Sequence, residues 1–114
     1  MTPEGKVKKR VKSILNSYGK DIYQHWPVLN GMGKPSLDII CCFHGLFFSI
    51  ETKAEGKTFT DRQALTADNM RAARGKVFLI NEKTGTRELE EWLKRVNTRA
   101  NEKYSSKGKI DKKA

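Results

Sequence analysis

The apolar positions near the start of the chain recur every three or four residues, as they do along one face of a helix: Val7, Val11, Ile14, Leu15 and Tyr18. Thr2 is suited to cap such a helix, and Pro3 suits its first position. Gly19 is a typical residue for the helix end. The pattern therefore predicts an amphipathic helix between Thr2 and Gly19, whose other face carries Lys6, Lys9, Arg10 and Lys12.

The middle of the chain changes to short continuous apolar runs, which are typical of buried strands. These runs predict strands over residues 22–26, 39–43, 46–50 and 77–80. His44-Gly45 is the expected turn between the second and third strands, and residues 27–34 form a loop with Asn30-Gly31-Met32-Gly33 as its turn signal.

Two further helices are predicted in the second half of the chain. Thr60 and Gln63 fit the capping box of a helix that extends to about Arg74 and ends at Gly75. Leu89, Trp92, Leu93 and Val96 give a third helix its apolar stripe. From about Ala100 apolar residues become scarce and lysines frequent, so residues 100–114 are expected to form a disordered basic tail.

The predicted order is helix, three strands, helix, strand, helix. A helix between the third and fourth strands implies a crossover connection, and therefore a mixed sheet. We expect an α/β fold in which a mixed β-sheet is flanked by helices. At 114 residues the chain fits one domain, here residues 1–99, followed by the tail.

Charge and targeting signals narrow the class of protein. The chain has 23 Lys and Arg residues against 13 Asp and Glu residues, a net charge of +10, which favours a polyanionic partner such as nucleic acid. No apolar stretch is long enough to span a membrane, and residues 1–10 are too charged for a secretory signal. Adjacent Cys41 and Cys42 indicate small buried hydrophobic residues in a reducing compartment. We expect a soluble intracellular protein, in the cytoplasm or in that of a host cell if the protein is viral.

Candidate chemistry lies where the two central strands meet. Asp38 opens the second strand and Glu51 closes the third, so a hairpin places them side by side, and Lys53 points the same way as Glu51. Two carboxylates and a lysine suit a magnesium-dependent phosphodiesterase. Asp38 and Glu51 are expected to ligate Mg²⁺ with the Thr52 backbone carbonyl, and Lys53 to orient or deprotonate the attacking water. The alternative is an ion pair at a strand edge.

These residues resemble a known nuclease family. Pro35-Ser36-Leu37-Asp38 followed by Glu51-Thr52-Lys53 looks like the PD-(D/E)xK nuclease signature, with Ser36 and Leu37 inserted between the usual Pro and Asp. The pattern over residues 2–80 is similar to the VRR-NUC branch, the virus-type replication and repair nucleases. The wider matching features are Thr2-Pro3-Glu4, the loop Gly31 to Pro35, Gly45 and Gln63.

The resemblance implies a restriction-endonuclease-like fold and roles for two more residues. Glu4 matches a first-helix acid that reaches the metal site, although a helix-dipole partner is an alternative reading. Gln63 matches a helix-borne glutamine beside the catalytic lysine, although the capping box alone explains a glutamine there. Stand-alone proteins of this branch look like homodimers that cut branched DNA, which implies the same partners here.

Several basic residues are candidates for phosphate contact, and each is equally consistent with a solvated surface. They are Lys6, Lys9, Lys34, Lys57 and Arg62, together with Arg10, Lys12, Arg71 and Arg74. Tyr23, Trp26 and Met32 are candidates for a base-stacking surface, with core packing favoured for Tyr23 and Trp26. His44 is expected to be a solvated turn residue, and His25 is a weak candidate for DNA contact. The chain has no His or Cys cluster of the kind that binds zinc.

The expected function is a Mg²⁺-dependent, structure-specific DNA endonuclease that cuts branched DNA such as four-way (Holliday) junctions, with Mn²⁺ as a substitute ion. One alternative is a non-catalytic basic nucleic-acid-binding module in which Asp38 and Glu51 are structural. Another is a nuclease that acts on flaps, single strands or a specific sequence.

Overall fold

The computed structural model describes residues 1–28 and 33–111, with side chains described through Lys103. Helix α1 spans Pro3–Asn16, and a short 3-10 turn, Gly19–Asp21, leads from it into the first strand. The strands are β1, Ile22–His25, β2, Ile39–Phe43, and β3, Leu46–Thr52. Helix α2, Asp61–Ala72, precedes β4, Lys76–Ile80, and α3 spans Arg87–Asp111.

The strands form one four-stranded mixed sheet in the order β1-β2-β3-β4. Strands β1, β2 and β3 are successively antiparallel, whereas β3 and β4 are parallel and are connected through α2. The predicted α/β class, with a mixed sheet flanked by helices, is therefore confirmed. Within the described residues, no helix has the combination of length and apolar character that crossing a bilayer requires.

One face of the sheet carries the main core. Val7, Val11 and Leu15 from α1 and Leu89 and Leu93 from α3 pack with apolar side chains of the four strands. This arrangement confirms the predicted stripes of both helices. The aromatic rings of Phe48, Phe78 and Trp92 meet edge to face in this layer, which adds directional contacts to the burial of their apolar surface.

The opposite face is only partly covered. Helix α2 packs there through a small cluster in which Leu37, Ala67 and Val77 are buried and Phe59 and Met70 partly buried. Burial along β3 therefore differs between its ends: Leu46 and Phe47 are exposed, whereas residues 48–52 are buried. The end of β3 that carries Glu51 is thus enclosed, while the other end of the same face is open.

Two local features follow the sequence closely. Thr60 caps α2 by accepting a hydrogen bond from the Gln63 amide, and the Gln63 side chain returns a contact to the Thr60 amide, which completes the capping box. His44 and Gly45 both have positive φ, 50° and 83°, as the central residues of a type I′ hairpin turn require.

The end of the chain differs from the prediction. Helix α3 continues past Ala100 as far as Asp111, where the sequence predicted a disordered tail. Buried Leu89 and Leu93 attach the first turns of the helix to the core, and Ala100, Glu102 and Lys103 are residue types that favour its extension.

Candidate active site

The hairpin of β2 and β3 brings Asp38 and Glu51 together. Ile39 pairs with Ile50 across the two strands, so Asp38, one residue earlier, stands opposite Glu51, one residue later. The backbone N–H of Asp38 donates a hydrogen bond of 3.1 Å to Oε1 of Glu51. The predicted juxtaposition of the two acids at one end of the sheet is therefore present.

The Asp38 carboxylate is held by Thr52. Its Oδ2 accepts hydrogen bonds from the Thr52 backbone N–H at 3.0 Å and from the Thr52 hydroxyl at 2.8 Å. Thr52 is fully buried, so its side chain fixes the carboxylate from inside the protein. In the part of the chain that the structure describes, Asp38 Oδ1 takes no hydrogen bond, which leaves one carboxylate oxygen for a ligand.

Glu51 is an acid in an unfavourable environment for a charge. It is only 2% exposed, and removal from water disfavours its ionised form. Burial, together with the negative charge of Asp38, raises the pKa of Glu51 to about 7, although Lys53 and the Asp38 amide oppose the shift. An acid whose pKa is raised by burial and by a neighbouring charge is a candidate for a functional site.

Lys53 supplies the positive charge of the site. Its Nζ lies 3.5 Å from Glu51 Oε2, and its side chain is 15% exposed, so the ammonium group reaches the acid from the edge of the solvent. The Lys53 backbone N–H donates to the carbonyl of Ile80, which extends the β3–β4 pairing by one residue and fixes the backbone beneath the side chain. The prediction that Glu51 and Lys53 point the same way is confirmed.

Gln63 makes the capping-box contacts that the sequence predicted and also contacts Glu51, whereas its predicted role in catalysis stays a prediction. Its Oε1 accepts from the Thr60 backbone N–H at 3.0 Å as part of the capping box, while its Nε2 donates to Glu51 Oε2 at 2.9 Å. The amide is therefore oriented by the helix N-terminus and in turn positions the glutamate. Helix α2 is thereby linked directly to the strand that carries the acid.

The side chains of the site include ligands of the kind that Mg²⁺ prefers. Mg²⁺ is commonly held by one or two carboxylates plus waters and substrate phosphates, so Asp38 and Glu51 suffice chemically. Within the described residues, no three or more His, Cys, Asp or Glu side chains are grouped to hold a metal. Glu4, partly buried in the first turn of α1, is thus not grouped with Asp38 and Glu51, and its role as a ligand stays a prediction, as does that of the Thr52 carbonyl.

Two supporting residues were not found from the sequence. Leu37 is fully buried in the small cluster under α2, and it anchors the segment directly before Asp38. Ser49, also fully buried, donates to the Ile39 carbonyl at 2.7 Å and ties the two strands together beside the acids. The signal for Ser49 in the sequence was its position within an apolar run, since a buried polar side chain needs a hydrogen-bond partner.

The predicted DNA-binding residues fall into separate regions. Lys34 and Arg62 line one groove beside α2, together with Ser36, two residues before Asp38. Lys6 and Lys9 line a different pocket on α1, with Arg10 and Glu90. Lys57 is exposed in the loop after β3, where its carbonyl accepts from the Asn81 side chain. Phosphate contact by any of them remains a prediction.

Some residues differ from their expected environment. Tyr23 is 69% exposed, and Cys42 is exposed while Cys41 is buried, because β1 and β2 turn these side chains to the face that α2 leaves uncovered. Trp26 packs partly against the core as expected, with Lys12 Nζ 5.3 Å from its ring centre. Met32 lies outside the described residues.

The two histidines have different surroundings. His44 is exposed in the hairpin turn, and its ring nitrogen Nε2 lies 2.9 Å from Asn97 Oδ1. His25 is exposed at the end of β1 and lines the same groove as Lys34 and Arg62. Neither makes a described hydrogen bond to the acids, so the site depends on Asp38, Glu51, Lys53 and Gln63.

Comparison with known proteins gives no match to a protein-family model, to a curated protein or to a solved structure.

Proposed function

We propose that this protein is a Mg²⁺-dependent, structure-specific DNA endonuclease with a restriction-endonuclease-like fold, of the VRR-NUC kind. The observation that supports the proposal best is the ring of contacts around Glu51. A buried glutamate accepts from the amide of a second acid, from a glutamine on α2 and from a lysine ammonium. This arrangement brings together, from separate parts of the chain, the residue types that metal-assisted phosphodiester hydrolysis needs.

Each residue has a defined role in the proposed reaction. Asp38 and Glu51 would hold Mg²⁺, and the bound ion would polarise the phosphodiester and favour ionisation of the attacking water. Lys53 would either orient that water as an ammonium, whose charge balances the negative charge that develops on the phosphate, or take the water's proton as a neutral amine and become the ammonium. Water attacks in line and the sugar 3′-oxygen leaves, which gives 5′-phosphate and 3′-hydroxyl ends.

Thr52 and Gln63 are positioning residues in this scheme. Thr52 restricts the Asp38 carboxylate to one orientation through two hydrogen bonds. Gln63 restricts Glu51 in the same way and draws its orientation from the capping box. Two acids whose rotamers are fixed before the ion binds lose little conformational freedom on binding it.

The proposed substrate is branched DNA, such as a four-way junction. A positive net charge of +10 supports binding to the phosphate backbone. A domain of this size has little surface for reading a sequence, which favours recognition of DNA shape. We further propose a homodimer, because two equivalent sites suit two symmetric cuts in a four-way junction.

The test is cleavage of a labelled four-way junction beside a linear duplex and a single strand of matched sequence. Each is incubated with Mg²⁺, with EDTA, and with the Lys53→Ala protein. We expect junction cutting that requires the ion and that falls at least about 100-fold in the variant. Lys20→Ala is the matched control, since this exposed lysine lies in the turn before β1, outside the contacts around Glu51 and outside the candidate DNA contacts.

A non-catalytic nucleic-acid-binding module predicts the opposite pattern. Binding would persist in EDTA and none of the substrates would be cut with Mg²⁺ or Mn²⁺. Equal cutting of junction and linear duplex would retain the nuclease and reject structure specificity.

A further inference from the structure

The side of the sheet that faces α2 is covered over only part of its width. Helix α2 packs over Val77 of β4 and Leu37, whereas Phe47 of β3 is 40% exposed and Tyr23 of β1 is 69% exposed. Tyr23 and Phe47 flank Cys42 in register across three strands. Exposed aromatic side chains that lie together on one face, rather than scattered singly, are candidates for a binding surface.

The uncovered surface continues into a groove of about 760 Å³ between the sheet and α2. Its apolar walls come from Ile40 and Phe47 on the sheet and from Leu65 and Met70 on α2. Leu65 is 62% exposed, so the helix wall is open to an incoming group. A Cβ atom at Gly75 would lie 2.5 Å from Phe47 Cδ1, so the glycine allows the Phe47 ring to lie close to the backbone after α2.

Two residues that line the groove are close in sequence to residues of the candidate active site. Ser36 and Arg62, which line it, stand two residues before Asp38 and directly before Gln63. Phe47 and Glu51 are an even number of residues apart on β3, so their side chains face the same side of the sheet. A ligand in the groove would lie along the strand that leads to the acids.

The charge of the groove indicates the chemistry of its ligand. Lys34 and Arg62 are cationic lining residues, and none of the described lining residues is acidic. An apolar floor with cations beside it suits a ligand that has flat apolar groups and regularly spaced negative charges. An unpaired DNA strand is such a ligand, because its bases can stack on apolar and aromatic side chains while its phosphates meet Lys and Arg.

We infer that this groove binds unpaired bases of the DNA substrate, with Phe47 and Leu65 against the bases and Lys34 and Arg62 against the adjoining phosphates. The inference rests on the proposed nuclease function and names the part of the substrate that the site selects. A fully paired duplex does not offer base faces to the groove, since its bases stack on one another. The strand that is cut would therefore present bases that are unpaired at the branch point, next to the scissile phosphate.

The test separates base contacts from phosphate contacts. Fluorescence anisotropy of the full chain, in EDTA, compares oligo(dT) of roughly 12 nucleotides with an abasic strand of the same length and charge. The groove variants are Phe47→Ser and Leu65→Ser. Leu46→Ser is the matched control, because Leu46 is also exposed and adjoins Phe47 but points to the other face.

We expect the unmodified protein to bind oligo(dT) about tenfold more tightly than the abasic strand. Leu65→Ser and Phe47→Ser should each remove most of that preference and leave abasic binding unchanged, whereas Leu46→Ser should behave as the unmodified protein. Leu65 is exposed enough that its variant should fold, which keeps the test decisive if Phe47→Ser does not.

Equal affinity for the two strands, or an equal loss in Leu46→Ser, would overturn the inference. So would a groove variant that changes a dimer to a monomer in sedimentation with no change in base preference, since a second copy would then occupy the groove. Failure of the proposed function is distinguishable, because binding is measured without metal. A base preference with no cleavage in Mg²⁺ rejects the nuclease alone, and cleavage without the preference rejects the groove alone.

Discussion

The backbone amide of Asp38 donates a hydrogen bond to the carboxylate of Glu51, so one acid is held by the main chain of the other. A second hydrogen bond runs in the opposite direction, from the backbone N–H of Thr52 to Oδ2 of Asp38. Each acid therefore depends on the backbone of the opposite strand for its position. A change in the strand register or in either acid alters both halves of the site.

The stability of the protein should depend on the ionisation of Glu51. Its folded-state pKa of about 7 lies above the ordinary value of 4.5, so its contribution to stability is fully present below pH 4.5 and is lost as the pH rises through 7. In EDTA this loss amounts to about 3 kcal/mol at most. Urea unfolding of Glu51→Gln and of the unmodified protein at pH 5 and pH 8.5 measures it. The variant should gain relative stability at the higher pH, and identical pH slopes would contradict the prediction.

Binding of Mg²⁺ should release a proton near neutral pH. The ion requires ionised Glu51, so its apparent affinity should fall by up to about tenfold for each pH unit below 7. Titration calorimetry in two buffers of different ionisation enthalpy at pH 6.5 gives the number of protons released. Glu51→Gln should bind the ion weakly and release none. Proton release that is unchanged in this variant would assign the titration to another group.

Gln63→Glu should shift the pH dependence of cleavage. The new carboxylate can still accept a hydrogen bond from the Thr60 backbone N–H. It also places a negative charge beside Glu51, and this charge raises the pKa of Glu51 further. The acidic limb of the pH–rate profile should therefore move upward, and the Mg²⁺ requirement should increase. Thr60→Ala is the control: it removes the cap and about 1 kcal/mol of stability without touching Glu51, so its profile should not move. A shift of equal size in Thr60→Ala would mean that helix stability alone is responsible.

Thr52→Val tests whether the Asp38 carboxylate needs its hydroxyl partner. Valine preserves the shape and the backbone amide, and it removes only the 2.8 Å hydrogen bond to Oδ2. We expect a stability loss of about 1 kcal/mol and a weaker response to Mg²⁺, measured by urea unfolding and by the ion concentration for half-maximal cleavage. Thr58→Val, at an exposed position, should change neither quantity. Unchanged Mg²⁺ dependence in Thr52→Val would show that the amide of residue 52 holds Asp38 without help.

The sequence predicted the position of the acids because a hairpin is a local structure. A two-residue turn between two apolar runs determines that residues 38 and 51 are opposite each other, and the alternation of strand side chains determines that Lys53 joins them. For Gln63 the residues themselves predicted only the capping box, and its place beside the acids was implied by the family resemblance alone.

Features that depend on tertiary packing could not be predicted in the same way. Leu37 and Thr52 support the acids through burial under α2 and across β3, and neither residue type is distinctive in a sequence. Exposure of Tyr23 and Cys42 depends on how much of the sheet α2 covers, which helix length alone does not reveal. The continuation of α3 past Ala100 depends on helix propagation, whereas the sequence reading relied on the loss of apolar residues.

The candidate site depends on the length of the His44-Gly45 turn, although this turn lies at the far end of β3. Glu51 lies six positions after Gly45 along the chain, a length of about 20 Å at the usual rise of a strand. One residue added to this turn, with the strand pairing shifted to match, would rotate Glu51 to the opposite side of the sheet and exchange it with an apolar neighbour. A length change at the surface would thus dismantle the chemistry without altering any residue that takes part in it.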